Sequence, residues 1–261
     1  MIRKLTLTVV SLGLMAVGAL AANNASDNAS NSAYSGGTYN GLNGGSGFGT
    51  WAEGDFPATN GFEGSYVGAS GDGATSFGMF ASHTGDGTPA STADSTVTMT
   101  RPFTGGALTA GQTFSISLGV NSVASGSVGL NFIDGTSATV FTLIGQASTM
   151  DWELNDGGAN FGTGVAYAAN TPLTFTLTYN GGSSYSYTLT GGAGGSNFTS
   201  ANTISDIEGV KLFDTGTGAN NNFGANNLSI TTAVPEPGTI ISFLSGSSLL
   251  GAMMFIRRRR A

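Results

Sequence analysis

Three carboxylates fall close together in the run Asp151-Trp152-Glu153-Leu154-Asn155-Asp156 of this 261-residue chain. On a strand, Asp151 and Glu153 share one face, and Asp156 follows in a turn. Two carboxylates about 5 Å apart across a glycosidic bond are the apparatus of retaining glycoside hydrolysis, so this run is the candidate for acid/base chemistry. The plainer reading is an acidic strand end leading into a turn. Trp51 and Trp152, the two tryptophans, are candidate carbohydrate-binding residues. An exposed indole face stacks on a sugar ring, whereas a buried one is a core contact, and burial is the commoner state. Asp72, Asp86, Asp134, Asp214 and Asn220–Asn222 stand in Gly-rich stretches and offer oxygen ligands that suit a structural Ca²⁺. Their spacing completes no EF-hand, and turn chemistry accounts for most of them; no other cofactor is expected. His83, the single His, has no evident acid and nucleophile partner, which leaves Ser/His/Asp catalysis unsupported. With no Cys there is neither a thiolate nucleophile nor a zinc-thiolate site.

The elements that must position these residues are strands. Gly (43), Thr (33), Ser (30) and Asn (20) make up nearly half the chain, and all four weaken helices. Hydrophobic residues at 39% still provide a core, and charged residues at 9% exclude a charged disordered tail or a coiled coil. Apolar residues recur at every second position in Phe114/Ile116/Leu118/Val120, Val128/Leu130/Phe132, Leu173/Phe175/Leu177/Tyr179 and Tyr185/Tyr187/Leu189. Period two places each set on one strand face and Ser and Thr on the other, the pattern of half-buried antiparallel sheets. Asp134-Gly135, Asn155 to Gly158, Asn180-Gly181-Gly182 and Gly191-Gly192 mark the turns, with a hairpin at 180–183 the clearest. Further strands are expected near 46–51, 64–69, 75–82, 95–100, 139–145, 150–154, 164–168, 207–213 and 226–232. About a dozen strands without an internal repeat predict an all-β, antiparallel β-sandwich of jelly-roll (concanavalin-like) type over 46–232. Residues 23–45, poor in apolar side chains, are expected to form a flexible lead-in.

Both ends read as addresses. Arg3 and Lys4, the apolar run Leu5–Leu20 and the small-x-small sequence Ala19-Leu20-Ala21 form a secretory signal peptide over 1–22, which engages a secretion translocon. At the other end come Pro235-Glu236-Pro237, the apolar stretch 239–256, and Arg257, Arg258, Arg259 and Arg260. Eighteen residues of helix reach about 27 Å, just enough for a transmembrane helix across a hydrocarbon core of roughly 30 Å. The arginines stop its passage and stay cytoplasmic. Arg101 and Lys211 are the only Lys or Arg between Lys4 and Arg257, while all 15 acids lie there, so nucleic acid is excluded as a partner.

The Pro-Glu-Pro, helix and arginine arrangement of 233–261 closely resembles the PEP-CTERM sorting signal of Gram-negative bacteria. That resemblance implies that Pro235, Glu236 and Pro237 are read by a membrane-embedded, exosortase-type processing enzyme, and that the precursor is held in the inner membrane. It also implies a destination at the cell surface or in an exopolysaccharide matrix. The segment from Ile207 to Ile230 resembles the last strands of lectin-like and carbohydrate-binding sandwiches. The acid spacing at 151–156 is similar to the Glu-x-Asp-x-x-Glu motif of one group of jelly-roll glucanases but departs from it at all three acids, and Asp in place of Glu withdraws a carboxyl by a methylene. The expectation is therefore an exported, non-enzymatic sandwich that is structural or binds polysaccharide. Its rivals are a glycan hydrolase using Asp151, Glu153 and Asp156, and a surface or matrix component without a ligand.

Overall fold

A computed structural model describes residues 21–56, 62–70, 74–82, 94–123, 125–149, 151–155, 160–166, 168–182, 184–190, 194–199, 206–218 and 222–233. The strands are β1 (Ala21–Asp27), β2 (Ala52–Phe56), β3 (Glu63–Ala69), β4 (Thr75–Ala81), β5 (Thr96–Pro102), β6 (Gln112–Val120), β7 (Ser127–Ile133) and β8 (Thr139–Gln146). They continue as β9 (Asp151–Asn155), β10 (Asn160–Ala166), β11 (Leu173–Gly181), β12 (Ser184–Leu189), β13 (Gly194–Thr199), β14 (Gly209–Thr215) and β15 (Asn222–Ala233). Among the described residues the only helix is one 3-10 turn, Ser32–Tyr34.

Two antiparallel sheets result. The larger runs β13-β12-β11-β6-β15-β4-β3, with β1 also pairing β15, and the smaller runs β10-β9-β8-β7-β14-β5-β2. Their apolar faces meet. Phe114 of β6 meets Phe132 of β7 edge-on at 5.4 Å, Phe132 lies 5.8 Å from Phe175 of β11, and Phe141 of β8 lies 5.8 Å from Tyr185 of β12. Each such ring, taken out of water, contributes about 1.5–3 kcal/mol, which period-two alternation repeats along every central strand. The hairpin expected at 180–183 joins β11 to β12, with Gly181 and Gly182 at φ of 101° and 63° as its turn requires.

Three features depart from the sequence reading. Residues 46–51 form no strand: Phe48 makes a single bridge to Phe103, and pairing with β5 begins only at Ala52. β13, rich in Gly and without an alternating apolar set, was not expected. The largest correction concerns 23–45, which is no flexible lead-in. β1 adds to β15, and Tyr34 and Tyr39 are fully buried against Phe77 and Trp51.

A buried ion pair holds this segment in place. Arg101 Nη2 donates to Asp27 Oδ2 at 2.5 Å and to Asn43 Oδ1 at 2.8 Å, while Nη1 donates to the Leu42 carbonyl at 3.3 Å. The Tyr34 hydroxyl donates to the same carboxylate oxygen at 2.6 Å. The compact unit accordingly spans Asn23–Thr232. Pro235, Glu236, Pro237, Arg257–Arg260 and nearly all of the signal segment lie outside the described residues. Among the described residues no helix is long and apolar enough to cross a membrane.

Candidate functional site

The outer face of the larger sheet presents hydroxyls in register. β6, β11 and β12 bury Phe, Ile, Leu and Tyr, so strand alternation turns their Thr and Ser outward. One row crosses four strands through Thr188, Thr176, Ser115 and Ser229. The next runs through Ser186, Thr178, Thr113 and Thr231. Thr113 and Thr178 share a hydrogen bond at 2.8 Å, and Thr176 bonds to Thr188. Each hydroxyl can donate one bond and accept two, so these cross-strand bonds leave capacity for a ligand.

At its β15 side this face breaks into a cleft of about 570 Å³. A bulge at Asn226–Ser229, with Asn227 at φ 53°, interrupts the pairing of β15 with β6 and turns Asn227 outward. Asn227 and Ser229 form one wall; Ser26, Asn28 and Asn31, with the 44–46 loop, form the other. Asn28 Nδ2 donates to Asn227 Oδ1 across the gap, and Asn31 Nδ2 donates to the Gly44 carbonyl at 2.5 Å.

Beyond β15 the same face carries aromatic rings. Phe80 is paired with Gly64 across β3 and β4, and Tyr66 with Gly78. A Cβ at Gly78 would lie 2.5 Å from the Tyr66 ring, and one at Gly64 would lie 3.1 Å from the Phe80 ring, so each ring rests where glycine leaves room. Phe62 packs against Phe80 at 5.0 Å and is 51% exposed. It is the exposed large hydrophobic residue among those described. Tyr66 and Phe80 are partly exposed. Sequence reasoning missed this cluster because its search for a stacking platform stopped at tryptophan. The legible signal was Phe80, out of phase with buried Phe77 and Met79, together with glycines at 64, 68, 78 and 224.

The tryptophans are not a platform. Trp51 is 1% exposed and lies under the Arg101 guanidinium at 5.0 Å, beside Tyr39 and Phe77. Trp152 is equally buried and faces Gly145 across the smaller sheet. Alternation in β9 therefore turns Asp151 and Glu153 outward on the smaller sheet, the layer opposite the hydroxyl rows. Asp156 lies outside the described residues, so a three-acid constellation is not assembled among those described.

The oxygen ligands considered for Ca²⁺ are also separated. Asp134 Oδ1 accepts from the Thr136 hydroxyl and N–H and from the Ala138 N–H at 2.8–2.9 Å. The Thr136 hydroxyl bond first, then the backbone bonds, hold its carboxyl below the usual range. It is a turn residue. Asp214 is fully buried on the inner face of β14, accepts from the Thr217 hydroxyl at 2.7 Å, and has no partner at Oδ2. Burial drives its carboxyl well above the usual range, toward the protonated form. Asn222 gives its carbonyl to the Asn121 N–H at 3.0 Å. Asp72, Asp86, Asn220, Asn221 and His83 lie outside the described residues. Among those described, no group of three or more His, Asp or Glu converges on a metal position.

No family model matches the chain, and no curated protein matches it. Among solved structures the chain is similar to a sialidase at TM-score 0.50 and 9% identity, over 70% of this chain and 17% of that one. The chain thus spans about a sixth of the sialidase's length, and at that identity the likeness is one of fold. It is also similar to the carbohydrate binding module CBM66 from Bacillus subtilis, at TM-score 0.41 and 8% identity over 67% of this chain and 97% of that one. A third similarity is to galectin LEC-6 of Caenorhabditis elegans, at TM-score 0.35 and 13% identity over 52% of this chain and 89% of that one.

Proposed function

We propose that this chain is an exported, non-enzymatic β-sandwich that binds polysaccharide on the outer face of its larger sheet. One observation carries the reading: partly exposed rings at Phe62, Tyr66 and Phe80 share that face with in-register rows of hydroxyls. Sugar rings offer an apolar face for stacking and hydroxyls at their edges, so a sheet face that supplies both rings and hydroxyls suits an extended glycan. A ligand-free matrix component would have no use for an exposed ring cluster. The hydrolase alternative draws no support from Asp151 and Glu153, which stand on the opposite layer.

The address belongs to the same proposal. The signal segment sends the chain through a translocon, Pro235-Glu236-Pro237 is read by an exosortase-type enzyme, and the product reaches the cell surface or the exopolysaccharide matrix. Retention of the full-length protein on insoluble polysaccharide, with and without Ca²⁺, tests the binding. Reducing-end release in the same incubations tests the enzyme alternative. Retention without release, unchanged by Glu153→Gln, is the expected outcome; release abolished by that substitution would replace binding with hydrolysis.

A further inference from the structure

We infer that the polysaccharide taken by this face is uncharged, and that it lies across the strands rather than along them; this rests on the binding reading above. Charge is the first ground. A polyanionic glycan is held by Arg and Lys, and the chain between residues 5 and 256 has only Arg101 and Lys211. Arg101 is fully buried and committed to Asp27. Lys211 alternates with buried Val210 and Leu212 on β14, so it stands on the outer side of the smaller sheet, the wrong layer. The hydroxyl rows contain no cation, and 14 of the 15 acids lie within residues 23–232 against Arg101 and Lys211, giving the domain a negative field that repels an anionic chain.

Hydroxyl chemistry points the same way. A carboxylate or sulfate only accepts, so it would need every facing Thr and Ser to donate. Thr113–Thr178 and Thr176–Thr188 already commit a donor within each pair, leaving a surface of mixed donors and acceptors. Sugar hydroxyls both donate and accept and match such a surface. Direction follows from register: along the row from Thr188 to Ser229 one hydroxyl appears on each strand, about 4.8 Å apart, and the row ends at Ser229 in the wall of the β15 cleft. Along β6 the outward hydroxyls Thr113, Ser115 and Ser117 stop at Gly119, and successive ones stand about 6.6 Å apart, wider than the spacing across the strands.

The test titrates the full-length protein with an uncharged glucan, an uncharged galactan, alginate and polygalacturonate, in low salt, in 0.5 M NaCl and with Ca²⁺. A paired Thr113→Val, Thr178→Val variant removes two facing hydroxyls and leaves no polar atom orphaned, so the fold should survive. Its melting curve checks this. Binding to an uncharged polymer that is unchanged by salt and falls at least tenfold in the paired variant is the expected result. Binding confined to the anionic polymers, or abolished by 0.5 M NaCl, would overturn the inference and leave the binding reading in place. Binding to an uncharged polymer that the paired variant retains in full would overturn the cross-strand placement. No retention of any of the four would overturn both.

Discussion

Arg101 and Asp214 are the two interior ionisable side chains whose surroundings differ most, and they respond to substitution in opposite ways. Arg101 has partners. Burial lowers its proton affinity and Asp27 raises it again, so the charge is retained inside the protein. Arg101→Ala leaves the Asp27 carboxylate buried without a counter-ion, held only by the Tyr34 hydroxyl and the Asn28 N–H, and should cost about 3–5 kcal/mol in urea unfolding. Asp27→Asn with Arg101→Met should recover much of that loss, since removing both charges removes the desolvation penalty. Asp214 lacks a partner at Oδ2. Its folded-state pKa is raised above the unfolded value near 3.9, so its contribution is complete below that value and is lost as pH rises through the folded one. Asp214→Asn keeps the shape without the ionisation. The variant should show a flatter decline of unfolding free energy from pH 4 upward and greater stability at pH 7; an unchanged slope would show that another group sets the pH response.

The strands divide into those legible in the sequence and those made by tertiary contacts. β6, β11 and β12 announce themselves because each buries one face and exposes the other, which writes period two into the residues. β1 reads Ala-Ala-Asn-Asn-Ala-Ser-Asp and has no such pattern; it exists because β15 leaves an edge free after its bulge and because Asp27 meets Arg101. No local signal predicts that meeting of residues 74 positions apart. The ring cluster was hidden for a related reason, since Tyr66 and Phe80 gain their positions from glycines on neighbouring strands. Two outcomes follow at this scale. A chain beginning at residue 46 should lose cooperative unfolding, because Tyr34 and Tyr39 leave a hole against Phe77 and Trp51 and Arg101 loses its counter-ion; retention of a sharp transition would restore the lead-in reading. Gly78→Ala forces the Tyr66 ring aside from a 2.5 Å contact and should cost about 1–3 kcal/mol, read by thermal melting, while weakening polysaccharide binding.

For the whole molecule, the two layers are proposed to do different things. The smaller sheet, with Trp152 inward and Asp151 and Glu153 outward, supports the core; the larger carries rings, hydroxyl rows and the β15 cleft on its outer face. Sorting is proposed to act through neither. Replacing Pro235, Glu236 and Pro237 by Ala should leave polysaccharide binding intact and hold the precursor in the inner-membrane fraction, whereas normal surface delivery of that variant would remove the tripeptide from the sorting account. The most direct test sets one layer against the other. Affinity for an uncharged polysaccharide is measured for the full-length protein, for Phe62→Ala with Phe80→Ala, and for Asp151→Asn with Glu153→Gln. The ring pair should lose at least tenfold, about 1.4 kcal/mol or more, with the carboxylate pair unchanged. Full affinity in the ring variant with loss in the carboxylate variant would contradict the assignment of binding to the larger sheet.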